Sequence, residues 1–255
     1  LTGFQMSNRQ ILNLANALIL GSMLAITGCS KTIPPNPIPT ATQTPTPAKI
    51  LEISAQKVSA LETLSFKLVH ESGSTPLMEG VLIKNITGNV VVNKAFEVQI
   101  DAEALGITAL RINILATNGR VHMTDPISQK WREIDSQDTL FDFTNLGDTL
   151  AQILRTIKSP KQTDGESLKN DSYLQLSGTI LSENLQPLIP GAADNLEVRL
   201  EIVIRSDDFV LTQARISGPV TSTDPEEIVR ILSFYNFNEP MEIRDHLAQN
   251  RELLF

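Results

Sequence analysis

The only cysteine of the chain, Cys29, carries the clearest chemistry in the sequence. It follows Ile26, Thr27 and Gly28 at the end of an apolar run. A thiol in this place can form a thioether to diacylglycerol, and small residues before it let a peptidase hold an extended backbone. The spacing is typical of a bacterial lipobox, so it predicts lipidation, with palmitate-type acyl chains, at Cys29. The alternative is a free core cysteine, which the position of Cys29 outside any globular segment disfavours.

The apolar run before Cys29 has the features of a signal peptide. Residues 11–26, ILNLANALILGSMLAI, carry no charge, and the run is short for a membrane span. Arg9 is the only positive charge before it, and Met6 is a candidate start close to Leu1. We therefore expect residues 1–28 to be a lipoprotein signal peptide, with an uncleaved N-terminal anchor as the alternative. Either interpretation places the rest of the chain on the extracytoplasmic face of the cell membrane.

A segment rich in proline and threonine follows the cysteine. Residues 30–47 read SKTIPPNPIPTATQTPTP and contain almost no large apolar side chains. Such a composition favours extended polyproline conformations over a packed fold. We interpret residues 29–47 as a tether that reaches on the order of 50 Å at about 3.1 Å per residue. A proline-rich ligand for another domain and a glycosylated stalk are the alternatives.

Other reactive groups are sparse and scattered. The three histidines His70, His122 and His246 have no neighbours at the spacing of metal ligands, so no metal site is expected. No Gly-x-Ser-x-Gly motif and no phosphate-binding glycine loop occurs, so the sequence predicts neither an enzyme nor a cofactor. Asp207 and Asp208 fit a turn better than an acid–base pair. Trp131 fits either a cavity wall or the core.

The charge of the chain limits its partners. The net charge is −8, and Arg9 is the only charged residue before Cys29, so a protein cleaved at Cys29 is more acidic still. No stripe of lysine and arginine is interleaved with aromatic residues, which excludes nucleic acid as an expected partner. An acidic surface also disfavours docking on anionic head groups, so attachment to the membrane should come from acyl chains on Cys29. With a single cysteine, the domain has no internal disulfide.

Most of the remaining chain alternates between apolar and polar residues, as in half-buried strands. The clearest run is residues 197–205, in which Val198, Leu200, Ile202 and Ile204 share one face. Hairpin turns are expected at Gly88-Asn89, Asn118-Gly119 and Asp207-Asp208. Further strands are predicted at residues 65–71, 77–85, 90–92, 96–101, 110–114, 120–124, 130–134, 172–181 and 209–217.

Three helices are predicted from apolar residues at helical spacing. The first covers residues 49–61, and the second covers residues 146–158 with Thr144 or Asn145 as its cap. The third is predicted to begin at Asp224-Pro225-Glu226-Glu227, a cap followed by proline and a capping-box glutamate, and to end near Phe234. A short helical turn is expected at residues 183–188.

These elements predict an α+β domain over residues 48–245. It should contain one large curved antiparallel sheet of about ten strands with the helices on its concave face, followed by a charged tail at residues 246–255. Few helices would leave an apolar cavity on that face, although tight packing is equally compatible with the pattern. The candidate cavity residues are the apolar strand faces and helix stripes: Phe66, Phe96, Val98, Ile100, Leu110, Ile112, Ile114, Leu150, Ile153, Val198, Leu200, Ile202 and Ile204.

The order of these features resembles the LppX/LprG (LppX_LprAFG) family of bacterial lipoproteins, over roughly residues 49–243. After the lipobox, the resemblance rests on four segments that are loose and mostly structural in character. They are LETLSF at 61–66, GRVHMTDP with KWREID at 119–135, LSGTI with LQPLIPGA at 176–192, and FYNFNEPMEI at 234–243. Family members often end on a proline after the last isoleucine, whereas here Arg244 and Asp245 lead into the tail.

The resemblance implies a U-shaped half-barrel with a lipid-sized cavity between sheet and helices. It also implies a lipoprotein that carries or presents lipids or lipoglycans in the cell envelope, without catalytic residues. A lipid or glycolipid is then the expected ligand, and an envelope lipid transporter is a compatible partner that the sequence does not identify. The alternative is a lipoprotein with a filled core that docks or assembles other proteins through an exposed apolar patch.

Overall fold

The computed structural model describes residues 45–104, 108–135, 141–163 and 172–245. Cys29, the predicted signal peptide 1–28, most of the tether 29–47 and the tail 246–255 lie outside the described residues, so those predictions stay untested. The described residues belong to one compact unit.

Among the described residues, one antiparallel sheet of twelve strands dominates this unit. Along the sheet the order is β7-β6-β5-β4-β3-β1-β12-β11-β10-β9-β8, and β2 pairs with β3. The strands are β1 Thr63–Ser72, β2 Thr75–Met78, β3 Val81–Val91, β4 Ala95–Ala104, β5 Thr108–Thr117, β6 Arg120–Thr124, β7 Trp131–Ile134, β8 Lys158–Gln162, β9 Tyr173–Leu181, β10 Glu197–Arg205, β11 Leu211–Ser217 and β12 Val229–Tyr235. The prediction of one large antiparallel sheet is confirmed.

The first and last strands meet in the middle of this sheet. β1 pairs with β3 on one side and with β12 on the other, in the register Phe66 to Phe234 and His70 to Arg230. β12 also pairs with β11, so it is an interior strand. The pairing of β1 with β12 thus joins the half of the sheet that contains β3 to β7 to the half that contains β8 to β11.

In the part of the chain that the structure describes, two α-helices cover one face of the sheet. Helix α1, Pro47–Ser59, begins with Thr46, whose hydroxyl accepts a hydrogen bond from the Lys49 backbone N–H at 3.4 Å. Helix α2, Leu146–Thr156, follows Asn145, whose side chain makes no capping bond. A 3-10 turn spans Ser182–Leu185. No helix among the described residues is both long and apolar enough to cross a membrane.

The helices and the sheet share one apolar core. Ile50 and Val58 of α1 and Leu150 and Leu154 of α2 are buried in the same cluster as the alternating residues of β1, β4, β5 and β10. The strand residues that alternate with them carry the charges, as in Lys67 between Phe66 and Leu68. The predicted position of the helices on one face of the sheet is thus confirmed.

The predicted third helix is wrong. Residues 221–228 form turns, and the chain enters β12 at Val229. The carboxylate of Asp224, expected to cap a helix, instead accepts hydrogen bonds from the backbone N–H groups of Val220 and Thr221, at 2.9 and 3.0 Å, which precede it. Strand pairing on both edges of β12 then outweighs the local helical preference.

The predicted hairpin turn at Gly88-Asn89 is also wrong, because both residues lie inside β3. A Cβ added to Gly88 would lie 2.4 Å from Cε1 of Phe66 on the neighbouring strand. The glycine therefore makes room for an aromatic ring in the core instead of reversing the chain. The turns at Asn118-Gly119 and Asp207-Asp208 do connect β5 to β6 and β10 to β11.

Candidate functional site

An apolar cavity of about 250 Å³ lies between the sheet and the segment that follows the 3-10 turn. It is close to the lower end of the volume range of small-molecule sites, about 300–1,000 Å³. Its lining comes from β1, β2, β3, β12, Phe141 and residues 188–191. The lining residues are Leu68, Thr75, Pro76, Leu77, Ile83, Ile86, Phe141, Leu188, Ile189, Pro190, Gly191 and Arg230. A cavity lined in this way holds an apolar group by burial, at about 0.8 kcal/mol per methylene.

The segment after the 3-10 turn forms one wall of the cavity. The backbone N–H groups of Leu188 and Ile189 donate to the Leu185 carbonyl at 2.9 and 2.8 Å, which continues the turn. Both side chains are buried, and Gly191 then reverses the chain with φ +79°. This wall is the LQPLIPGA segment on which the family resemblance partly rests.

One charged residue, Arg230, lines this otherwise apolar cavity. Its side chain is fully buried and lies on the core face of β12, with Leu232 and Phe234. Its Nη2 donates to Oδ1 of Asp224 at 2.6 Å, and the Asp224 side chain is also fully buried. Removing two charges from water costs several kcal/mol per ion, and this pair offsets that cost by direct contact and further hydrogen bonds.

Two polar side chains extend the ion pair along the cavity wall. Nε of Arg230 donates to Oγ1 of Thr75 at 2.8 Å, and this hydroxyl lies 2.8 Å from Nε2 of His70. The Thr75 backbone N–H donates to the same Nε2 at 3.1 Å, which makes it an acceptor. The Thr75 hydroxyl therefore donates to His70 while it accepts from Arg230.

The environment fixes the charge of each group in this cluster. Burial lowers the pKa of the His70 imidazole, and the Arg230 guanidinium lowers it further, so His70 is neutral at pH 7. Burial alone would raise the pKa of Asp224, but hydrogen bonds from Arg230 and from the Thr221 and Val220 backbone bring that pKa below its usual value. The cluster thus holds one cation and one anion, with no net charge.

One donor of Arg230 is left over. Nη1 is buried and has no hydrogen-bond partner among the described residues. Buried polar groups in proteins are bonded in the large majority of cases, and an unpaired one costs about 1–3 kcal/mol. The ion pair with Asp224 and the bond to Thr75 therefore leave one buried donor of Arg230 unsatisfied among the described residues.

A second, much smaller cavity of about 20 Å³ lies between α2 and strands β10 to β12. It is fully apolar and includes Leu150, Ile153, Leu200 and Ile202 in its lining. This volume is of the order needed for a single water molecule, about 10–15 Å³, so the space below α2 is nearly filled. Leu188 borders both cavities.

The thirteen residues predicted from sequence to line a cavity lie elsewhere, twelve of them in the same apolar core. None of them lines the 250 Å³ cavity. Twelve are buried, and Leu110 at the far end of β5 is partly exposed. Phe66 and Phe96 pack against Phe143, with ring centroids 4.8 and 5.8 Å apart, so aromatic rings occupy that end of the core. Their role in ligand binding stays a prediction.

The cavity residues were not apparent from sequence for two reasons. Arg230 lies within the predicted third helix, and the sequence pattern gives it no role there. Leu68, Ile83 and Ile86 do alternate in strands, but nothing in an alternating pattern tells which apolar residues border a gap. The recognisable feature was the run of apolar residues and prolines at 185–192, between two strands.

Trp131, for which the sequence left a cavity wall and the core as alternatives, does not line the apolar cavity. Trp131 is half-buried and lines a shallow groove of about 380 Å³ with Tyr235 and polar residues of β3 to β5. Within the described residues, no three histidine, aspartate or glutamate side chains cluster as metal ligands.

Comparison with known proteins decides the family. The family model described as LppX_LprAFG lipoprotein matches residues 46–243. The chain belongs to this lipoprotein family. The assignment to the LppX_LprAFG family made from sequence is confirmed, and the match covers nearly all of the described residues. No match was found among the curated proteins compared.

Two solved structures share the fold of this chain. LprF from Mycobacterium bovis superposes with a TM-score of 0.59 at 12% sequence identity, covering 78% of this chain and 96% of LprF. The lipoprotein LppX from Mycobacterium tuberculosis gives a TM-score of 0.53 at 15% identity, covering 78% of this chain and 98% of LppX. At these identities the likeness establishes the fold.

Proposed function

We propose that this protein is a membrane-anchored lipoprotein of the cell envelope that binds acyl chains in its apolar cavity. In this role it carries or presents lipids or lipoglycans, without catalysing a reaction. Membership of a lipoprotein family supports the proposal, and the 250 Å³ apolar cavity is the observation that carries it. Burial of an acyl chain needs no motif, only an apolar space of the right shape.

The anchoring part of the proposal rests on Cys29. Acyl chains on this residue would hold the protein at the extracytoplasmic face of the cell membrane, and residues 30–47 would act as the tether. The acidic domain would then reach a lipid donor, or an envelope lipid transporter, within the length of that tether.

The acyl chain is proposed to enter beside Leu77 and to extend toward Leu188. Leu188 borders the smaller cavity under α2 as well. A longer chain would therefore pass Leu188 and reach Leu150, Leu200 and Ile202, so the residues named from sequence would form the deep part of the site.

Native mass spectrometry tests the cavity directly. Residues 30–255, without the acylated cysteine, would be expressed in a bacterial host, measured, and extracted with organic solvent. We expect an adduct that extracts as an acyl lipid. Leu77→Trp should remove most of this adduct, because the indole would fill the cavity. Leu77 lies on the short strand β2 and is only partly buried, so the strand can accept the larger side chain.

Ile127→Trp is the matched control for this substitution. Ile127 is 87% exposed in the loop between β6 and β7, so the same indole should leave the adduct at the wild-type level. An apo mass that persists after incubation with phospholipids and glycolipids would contradict lipid binding.

Lipidation is tested in the full chain. Replacing Cys29 with alanine should abolish incorporation of radiolabelled palmitate and move the protein from the membrane fraction to the soluble fraction. The physical reason is that the apolar attachment comes from the acyl chains alone, at about 0.8 kcal/mol per buried methylene. Ser30→Ala, next to the cysteine, is the matched control and should label normally. Undiminished labelling of the Cys29→Ala variant would contradict this site.

A protein-docking or assembly lipoprotein is the second candidate. The near-complete packing under α2, with only about 20 Å³ of space, is the observation that favours it. The large apolar side chains exposed among the described residues, Leu82, Ile127, Tyr173 and Tyr235, lie on four different elements. The native mass spectrum separates the two candidates, because only the lipid carrier retains an adduct.

A further inference from the structure

We infer that the groove lined by Trp131 and Tyr235 binds a short segment of a neutral polysaccharide. The groove lies on the face of the sheet that points away from the helices. The inference goes beyond the proposed lipid binding, because the sheet separates this groove from the apolar cavity.

The position of the groove follows from the alternation of side chains along the strands that carry its aromatic residues. Tyr235 directly follows Phe234, which is buried in the core, so the two side chains point to opposite faces of β12. Trp131 lies three residues before Ile134, which packs against the core from β7. Both aromatic residues of the groove therefore lie on the face opposite α1 and α2.

The strand register continues this face from β12 to β5. Tyr235 pairs with Ser65, Ser65 with Asn89, Asn89 with Glu97, and Glu97 with Leu115. All of these residues except Ser65 line the groove. One row of side chains thus runs from the tyrosine across β1, β3 and β4 toward the strands that precede Trp131.

The groove offers neutral hydrogen-bonding groups. Thr87, Gln99 and Asn113 line it and are half-buried, so each has surface that a ligand can contact. Among the described residues, the Thr87 hydroxyl and the Asn113 side-chain amide have no hydrogen-bond partner. Amides and hydroxyls both donate and accept, as do the hydroxyl groups of a sugar, so the two sets can pair in either direction.

The charge of the groove selects against anionic ligands. Glu97 is the charged residue among those that line it, and its Oε1 accepts a hydrogen bond from Nδ2 of Asn89 at 2.7 Å. The lining contains no lysine or arginine, so a phosphate or a uronic acid would meet a carboxylate and no counter-charge. A neutral hydroxyl can instead donate to this carboxylate.

The aromatic residues supply the apolar part of the site. Tyr235 is 42% exposed, and Trp131 is half-buried on β7, so the two rings lie on opposite sides of the polar strands β3 to β5. The C–H faces of a pyranose ring are apolar and pack on aromatic rings, whereas its edges carry hydroxyls. The volume of about 380 Å³ is in the range of small-molecule sites. An acyl chain would need a continuous apolar lining, which the polar strands interrupt.

Tryptophan fluorescence tests this inference at the site itself, because Trp131 is the only tryptophan of the chain. The full chain, held in solution by a detergent without sugar, would be titrated with maltotetraose, cellotetraose and mannotetraose. We expect a saturable change in emission with at least one of them, with a Kd on the order of 1 mM or tighter. Tetragalacturonate, which is anionic, should give no saturable change.

Three variants locate the binding. Tyr235→Ala should weaken it about tenfold, as expected for the loss of one aromatic contact. Tyr173→Ala is the matched control, since Tyr173 is a tyrosine of similar exposure on β9 that does not line the groove, and it should bind as the wild type does. Asn113→Ala removes hydrogen bonds without removing a ring and should weaken binding about fivefold. It keeps the test decisive if Tyr235→Ala does not fold.

Three outcomes would overturn the inference. The first is no change in emission with any of the three neutral sugars. The second is unchanged affinity in both Tyr235→Ala and Asn113→Ala, which would place the binding elsewhere. The third is a change that appears only with micelles of digalactosyldiacylglycerol, which would assign the groove to a lipid headgroup. None of these outcomes bears on the proposed acyl-chain binding, which the native mass spectrum tests on the other face of the sheet.

Discussion

Replacing Asp224 with alanine is expected to lower the free energy of unfolding by about 3–5 kcal/mol, since it leaves the buried Arg230 guanidinium without a counter-charge. Arg230 is fully buried, and Asp224 is the carboxylate that contacts it at 2.6 Å. The same substitution removes the acceptor of two backbone N–H groups in the turn before β12. Single domains have only about 5–15 kcal/mol of stability in total, so urea unfolding should show a much lower midpoint.

The paired substitution Asp224→Asn with Arg230→Met is the control. Replacing both members of a buried ion pair by neutral residues of similar size is often neutral or stabilising, so its unfolding midpoint should lie near or above that of the wild type. The asparagine keeps an oxygen for the Val220 and Thr221 N–H groups. If the Asp224→Ala variant were as stable as the paired variant, Asp224 and Arg230 would not be energetically coupled.

The pH dependence of stability follows from the same pair. The folded pKa of Asp224 lies below its unfolded value of about 4, so the carboxylate contributes stability that is fully present above the unfolded pKa. That contribution is lost as the pH falls through the folded pKa. As the pH falls from 5 to below the folded pKa of Asp224, the wild type should therefore lose more stability than the double variant. Urea unfolding of both proteins at each pH measures this difference.

The alternating strands could be predicted from sequence because each has one wet face and one buried face. Residues 197–205 show this pattern, and they form β10 within its predicted bounds. The sequence of Asp224-Pro225-Glu226-Glu227 misled because the same residues serve a helix start and a tight turn. Only the position of Val220, Thr221 and Arg230 in space shows which backbone and side-chain groups the Asp224 carboxylate binds.

The site was harder to predict than the fold for a physical reason. Buried apolar residues look the same in sequence whether they touch a neighbour or border a gap. Leu200 and Leu68 are both buried strand leucines, yet Leu68 lines the 250 Å³ cavity and Leu200 lines the nearly filled one. The difference depends on what lies opposite each residue across the core, and periodicity contains no information on that.

Replacing Leu188 with alanine is expected to join the two cavities and lengthen the acyl chains that the protein retains. Leu188 is buried, follows the 3-10 turn and borders both spaces. Its truncation removes the wall between the 250 Å³ cavity and the space below α2. Fatty acyl groups extracted from the variant should therefore shift toward longer chains by several carbons, measured by gas chromatography of the extracted lipid.

The stability of this variant should fall at the same time. Leucine to alanine changes in a core cost about 2–5 kcal/mol through the lost burial and the cavity left behind. A bound chain that fills the new space would return part of this loss, because a ligand that binds only the folded state stabilises it. The loss should therefore be larger for delipidated protein than for protein loaded with a long-chain lipid.

Leu185→Ala provides the matched control for the wall argument. Leu185 is the last residue of the 3-10 turn and is buried like Leu188, but of the two cavities it borders only the smaller one. Its truncation should cost a similar amount of stability and leave the retained chain lengths as in the wild type. If both variants shifted the chain lengths alike, Leu188 would not be the boundary. If neither variant changed the retained chain lengths, the acyl chain would end before Leu188, and the residues below α2 would serve only as packed core.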